Sequence, residues 1–466
     1  MKREIMIPFI NVLLLLSFPS IGYVKDITII ELTDQVKYQK IDGFGVSGAW
    51  WAQDVGGWPQ IDSILDYLFD KSKGIGLNIY RYNIGAGPNY YNVPDLWRRA
   101  ETFEVSPGKY DWNRDVNAVN VMKGAVKRGV DTVIMFANSP PGRMTKNGYT
   151  SGDFNGRSNF KLGMEKEFAK YLVDIAEHFK NQGLPVKYIS PINEPQWYWK
   201  GNQEGCHYEL QEVVSVSEAL AQELKLRRSD IKISLAESGK WNDPDYTFKL
   251  YEMLTLDKDI FHMMDHYAVH SYWSNEFDKK IAATFFNGQS KKLPLHMSEW
   301  CQMESGRDLG MDSALVLAKT VYEDLTILNV SSWEYWIGVS CYDYKDGLIY
   351  VDKDTKKFYT TKRMWALGNF SRFINPGDIR IKASSTDTDL LTSAFISPNK
   401  ERIVVVVLNS NPYDTKRITF DKLAYRNIQL YETSDEKSLS KVYDGVAKKE
   451  FLIPAKSVNT FIVKLE

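Results

Sequence analysis

Hydrophobic positions change their rhythm once along the folded part of this chain. From about residue 41 to about residue 377, short apolar runs alternate with stretches whose apolar residues recur every third or fourth position; from about residue 379 only the short runs remain. The first texture predicts strands alternating with amphipathic helices, the second short strands joined by turns. The first strand lies in residues 41–51, where Gly43 and Gly45 alternate with Phe44 and Val46 before Trp50 and Trp51; glycine at alternate positions marks a close backbone approach or a bulge. A helix over 61–73 puts Ile61, Ile64, Leu65, Leu68 and Phe69 on one face and stops at Gly74. Further strands follow at 77–84, 131–137, from Val186 into Asn193-Glu194-Pro195, and at 231–236, 264–270, 293–297 and 332–337. Helices are predicted over 113–128, 164–180, 210–227, 245–254, 313–328 and 362–373. In the second of these Phe168, Leu172, Ile175, Ala176 and Phe179 share a face that ends before Gly183 and Pro185.

Eight strands, each followed by a helix or a long loop, predict an α/β chain folded as a (β/α)8 TIM barrel. An open doubly wound sheet is the alternative, and the glycine-rich first turn does not decide between them. It lacks the third glycine of a dinucleotide fingerprint, and no phosphate loop occurs anywhere. The strands at 390–395, 403–408, 418–420, 428–431 and 460–464 predict a small fused antiparallel β-sandwich, which a strand within 23–40 joins from the other end of the chain. The expected domain plan is 1–22, 23–40, 41–377 and 378–466. In it residues 1–22 are a signal peptide: a basic start at Lys2 and Arg3, an apolar run over 5–18, and small residues at Ser20 and Gly22. That predicts a secreted or periplasmic protein, with no membrane insertion.

Composition narrows the chemistry. A net charge of −1 over 466 residues gives no reason to expect nucleic acid as a partner. The chain is rich in large flat side chains, 13 Trp and 27 Tyr; a large core must account for most of them, and flat rings are also what sugar clefts stack on. Cys206, Cys301 and Cys341 permit one disulfide with one thiol left over, or three free thiols, and match no zinc spacing. His262, His266 and His270 lie four apart; read as one strand they share a side, with His270 in the cleft and the other two packed, and no metal is assigned to them.

In a barrel, chemistry gathers at the C-terminal ends of the strands. Two of those ends are acids in apolar, aromatic surroundings, Glu194 and Glu299, and burying a carboxylate without a purpose is costly. A pair of such acids is what glycosidic hydrolysis requires. Glu204 and Glu237 are nearby acids ranked below that pair. A non-catalytic carbohydrate-binding protein on the same fold is the rival reading, and a nucleotide-dependent enzyme lacks its loop.

Asn193-Glu194-Pro195 and Ser298-Glu299-Trp300 resemble the acid/base and nucleophile motifs of the clan A retaining glycosidases. Gly43-Phe44-Gly45-Val46-Ser47, Asn138-Ser139-Pro140-Pro141, His270-Ser271-Tyr272-Trp273 and the run from Trp365 to Ile374 resemble glycoside hydrolase family 30 over nearly the whole mature chain. Gln196-Trp197 and Gln203-Glu204-Gly205-Cys206 most resemble its endo-β-1,6-galactanase branch, with xylanase and β-1,6-glucanase as variants. The resemblance implies Glu194 as general acid then base, Glu299 as nucleophile, and no cofactor. It implies a polysaccharide or oligosaccharide substrate; a monomer is expected, although the sequence itself leaves the oligomeric state open. Arg81 and Tyr272 would hold Glu299, Asn193 would bind the sugar 2-hydroxyl, and Trp50, Trp197, Trp300 and Trp336 would stack. Asn138 and His270 would line the cleft. One departure is that Gly142-Arg143 precedes Met144 where that branch places an aromatic pair, so Arg143 is expected as a cleft cation for a charged sugar such as a uronic acid.

Overall fold

A computed structural model describes residues 27–87, 93–201, 203–421, 425–446 and 448–465; the expected signal peptide lies outside the described residues. Eight parallel strand positions run in order: Gly43–Ser47, Ile79–Asn83, Thr132–Phe136, Val186–Ser190, a split fifth strand, Tyr267–His270, Leu295–Trp300 and Ser332–Tyr335. The fifth consists of Lys232–Ile233, paired to the fourth, and Ala236–Ser238, paired to the sixth. Those two pieces are the two ends of the hydrogen-bonded order, and only Ser234 and Leu235 separate them, so the sheet comes round on itself as a (β/α)8 barrel.

Local chemistry explains most elements. The helix Glu165–Asn181 buries the predicted stripe, Phe168, Leu172, Ile175, Ala176 and Phe179, and each of the four larger side chains contributes about 1.5–3 kcal/mol when removed from water. Gly45 is required by proximity: a Cβ there would lie 2.8 Å from Ile79 Cβ and 2.9 Å from Glu334 Cγ, so its absence makes room for a second side chain inside the barrel. A helix the hydrophobic pattern did not flag, Glu276–Gly288, follows the sixth strand; its signal was a polar one, the reciprocal capping box of Asn275 and Asp278. The histidine spacing also reads differently in three dimensions. His262 sits exposed on the short helix Lys258–Met263, held there because Asp257 caps it through Ile260 N, and the strand begins only at Tyr267. His266 does pack, stacked 3.7 Å from the ring of His296.

The second body is a nine-stranded sheet that curls over, so Phe420 and Phe451 near one end meet the ring of Phe461 in its interior. The strand Thr28–Lys40 pairs antiparallel with Ile379–Ser385 and parallel with Lys416–Asp421, so residues from both ends of the chain build it. Its apolar run Arg402–Asn409 is buried on both faces: Ile403, Val405 and Val407 fill the sandwich, while Val404, Val406 and Leu408 join the barrel's core. The helix Lys362–Ser371 lies at that junction, where Asn369 donates to Thr460 Oγ1 (2.9 Å) and accepts from Thr433 Oγ1 (2.6 Å). Among the described residues no helix is long and apolar enough to cross a membrane, and all three cysteines are free thiols.

Candidate active site

Glu194 and Glu299 meet at the C-terminal mouth of the barrel. One carboxylate oxygen of each, with a ring nitrogen of His270, lies within 4.8 Å of the others. Glu194 has a left-handed backbone (φ 43°), unusual for a residue with a side chain, and its N–H donates to Glu237 O (2.9 Å). Pro191 and Pro195 bracket this turn and prevent the strand from continuing. Glu299 instead stays within its strand, Leu295–Trp300.

Different surroundings set the two acids apart. Arg81 Nη1 donates to Glu299 Oε2 (2.9 Å) and Tyr272 Oη to Glu299 Oε1 (3.1 Å), an arrangement that suits a carboxylate. Burial raises the pKa of Glu194; the bond from His270 Nδ1 (3.0 Å) opposes this and the charge of Glu299 adds to it. Beneath the pair lies a fully buried ionic network. Arg81 also reaches Glu237 (3.5 Å) and Glu334 (3.8 Å), and its guanidinium lies 4.3 Å from the centre of the Phe136 ring. His270 Nε2 bonds Glu237 Oε2 (3.2 Å), and Glu237 accepts further bonds from Ser190 and Ser234 (3.0 Å each) and from Ser298. Burial alone would lower the pKa of His270, but Glu299, Glu194 and Glu237 together push it up to about 10. Burial would likewise raise Glu237, yet Arg81, His270 and Ser298 hold it well below the usual carboxylate range. Burial wins at Glu334, which is pushed up to about 8 although Arg81 opposes it. Arg81 and the raised His270 are thus two cations flanking Glu237, which is held as an anion. The close Glu194–His270–Glu299 set has the spacing of a small cation site, but both imidazole N–H groups are already engaged with carboxylates.

A cavity of about 710 Å³ opens above this network. Of the predicted residues, Trp50, Asn193, Glu194, Trp197, Tyr272, Glu299 and Trp336 line it. Trp336 meets Trp50 edge to face at 5.1 Å, and Trp50 Nε1 and Asn193 Oδ1 are buried with no hydrogen-bond partner. Arg81 and His270 sit below the floor, and Asn138, 2% exposed, is tied to Asn83 Oδ1 (3.3 Å). Asn138 and His270, expected to line the cleft, therefore do not line it, and two further expectations need correction. Trp300 is no wall of the cavity: it points away and packs against Trp333 and Tyr335 at 6.1 and 6.3 Å, because its neighbour Glu299 takes the inward position. Arg143 is not a cleft cation. It lies off the cavity, bonded to Glu104 (2.9 Å) and Glu167, so its charge is already paired. The loops supply walls that no periodicity marked: Trp199, Gln203, Trp273, Arg98, and a segment carrying Tyr342, Asp343, Tyr344 and Asp346.

The chain is similar throughout to known glycosidases. The family description "O-Glycosyl hydrolase family 30" matches residues 26–249 and 276–350, and "Glycosyl hydrolase family 30 beta sandwich domain" matches residues 377–461. The chain belongs to glycoside hydrolase family 30 and is a glycoside hydrolase, whose substrate is therefore a carbohydrate. It is 24% identical to an endo-beta-1,6-galactanase of Hypocrea rufa over 411 residues, covering 82% of this chain and 80% of that protein. It is 23% identical to a glucuronoxylanase of Bacillus subtilis over 372 residues, covering 77% and 79%. Among solved structures, a conserved exported protein from Bacteroides fragilis superposes with a TM-score of 0.84 at 26% identity, covering 93% of this chain and all of that one.

Proposed function

We propose that this protein is an exported retaining endo-β-1,6-galactanase that cleaves by double displacement. The observation that carries the reading is the contrast between two acids a sugar's width apart. Glu299 is fixed by two donors and Glu194 is lifted by burial, with a carboxylate oxygen of each within 4.8 Å. Retention calls for carboxyl groups roughly 5–5.5 Å apart, inversion for a wider gap that admits water. In the first step a Glu299 oxygen bonds the anomeric carbon, the glycosidic bond breaks, and the Glu194 proton goes to the leaving oxygen. In the second, Glu194 takes a proton from water, the water oxygen bonds the anomeric carbon, and the ester to Glu299 breaks. Asn193, Trp50 and Trp336 bind the sugar undergoing reaction. The likeness to a galactanase supports the linkage and the exported neighbour supports secretion.

Digestion of a panel of plant and fungal polysaccharides, followed by NMR of the first products, tests the reading. Release of β-1,6-galacto-oligosaccharides whose new reducing ends first appear as the β anomer is expected. An α anomer at early times overturns the two-step route; cleavage confined to xylan or β-1,6-glucan overturns the linkage.

Gly239 gives a sharper test of Glu194. A Cβ at this position would lie 2.8 Å from Glu194 Oε1, 2.6 Å from Gln196 Nε2 and 3.0 Å from Trp197 Nε1. These are side-chain ends that can shift, so Gly239→Ala should fold normally while displacing the acid. A misplacement of this kind costs on the order of 10-fold to 100-fold in kcat. Full kcat with an unaltered melting temperature would count against Glu194 as the proton donor.

A further inference from the structure

We propose that the cavity selects uncharged sugars, and that Asp346 enforces this by accepting hydroxyl hydrogen bonds from a neutral sugar and repelling a uronate. The inference rests on reading this cavity as the sugar site, and it reverses the role expected of Arg143. Four carboxylate side chains, Glu194, Glu299, Asp343 and Asp346, line the cavity, against a single guanidinium among the described lining residues, that of Arg98. Arg98 is committed elsewhere. Its Nε donates to Tyr342 Oη (3.1 Å), Asp95 lies 3.7 Å away, and the rings of Trp50 and Tyr342 flank it at 4.5 and 4.8 Å. Asp343 is committed as well, since its Oδ1 accepts from Arg307 N (2.8 Å).

Asp346 differs from both. It is 5% exposed, and among the described residues no ion pair holds it and its Oδ1 finds no hydrogen-bond partner. A buried carboxylate oxygen without a donor is costly to keep, and the hydroxyls of a neutral sugar are donors of the right kind. A second carboxylate, on a uronic acid, brings a like charge and no donor at that group, and like charges in a partly dry site repel strongly. Burial already strains the charge on Asp346, lifting its pKa to about 6 despite a bond from Ser340 and the more distant charges of Arg363 and Arg98. Its folded value lies above the ordinary 3.8, so it contributes stability at low pH that is lost as the pH rises through about 6. Asp346→Asn removes that loss and should melt at the same or a higher temperature above pH 6.

The test is calorimetric binding to protein made inactive by Glu299→Gln, with and without Asp346→Asn. The probes are a neutral β-1,6-galacto-oligosaccharide, the same oligosaccharide capped by a terminal glucuronic acid, and a linear xylo-oligosaccharide with and without a glucuronosyl branch. With Asp346 present, the uronate-bearing member of whichever pair binds should bind at least about tenfold more weakly, since tenfold is only about 1.4 kcal/mol. Asp346→Asn should shrink that gap below about threefold and also weaken the neutral sugar. Equal or tighter binding of the uronate, or a gap that Asp346→Asn leaves unchanged, overturns the inference. Binding of the xylan pair alone overturns the galactan reading while still deciding the question of charge.

Discussion

Glu299→Gln is expected to yield a folded protein whose turnover of its true substrate falls by about 10⁴-fold or more, as it does when a covalent nucleophile is removed elsewhere. The amide keeps the shape of the side chain, so Tyr272 and Arg81 retain a neighbour, but it cannot form the glycosyl ester. The fold should tolerate the change for an electrostatic reason. In the native network Arg81 and His270 both lie against Glu299 as well as Glu237. His270, whose pKa of about 10 depends first among its partners on the charge of Glu299, is the group able to shed a proton when that charge is replaced by an amide. Mass spectrometry with a 2-deoxy-2-fluoro glycoside checks the chemistry directly. The wild type should gain one glycosyl unit on the peptide holding Glu299, and the variant should gain none. A label on Glu237 or Glu194, or activity within tenfold of wild type, would remove Glu299 from its proposed place.

The second large effect is expected at Glu194. Glu194→Ala should lose about 10²–10⁴-fold on polysaccharide, the range typical of a lost proton donor. The loss should be far smaller in the first step with an activated aryl glycoside, whose leaving group needs no proton. Azide should restore turnover on that substrate and yield a β-glycosyl azide. The pH profile supplies the sign. Burial lifts the pKa of Glu194, so its acid form persists above the ordinary carboxylate range and is lost as the pH rises through the lifted value. Wild-type kcat/KM should therefore fall on the alkaline side, and that limb should vanish in Glu194→Ala. An alkaline limb that survives the substitution would assign it to another group, His270 being the nearest.

Parts of this site were legible in the residues and parts were not, for physical reasons. Strands that stop at an acid between prolines or before a tryptophan are local events, and the chain announces them at Glu194 and Glu299. The alternation of periods 2 and 3.6 likewise carries the barrel, because each element must bury one face. The fifth strand was harder. Residues 231–236 read as one continuous strand, whereas the ladder breaks at Ser234 and Leu235, and Glu237 takes a left-handed backbone (φ 57°). That conformation is imposed by the closing of the barrel, and nothing in the residue types requires it. Glu237 thereby enters the centre of the ionic network, although the sequence ranks it only as a bystander. Arg143 failed for the complementary reason: a charge in a loop says nothing about its partner, and Glu104 and Glu167 are brought to it only by the fold. Trp199, Trp273 and Asp346 come from loops, where no repeat distinguishes a cavity wall from a solvated side chain.

The strand Thr28–Lys40 has a consequence for how the molecule is made. Ile29 N bonds Thr386 Oγ1, 357 positions away, and the parallel neighbour of this strand, Lys416–Asp421, comes later still. During synthesis this segment leaves the ribosome early with both hydrogen-bonding edges bare, and it waits for almost the entire polypeptide before either is covered. Such distant pairing makes assembly slow, and a bare edge invites the wrong partner. A gene shortened to the barrel alone would strand this segment permanently, so the natural unit for expression or transplantation is the two bodies together.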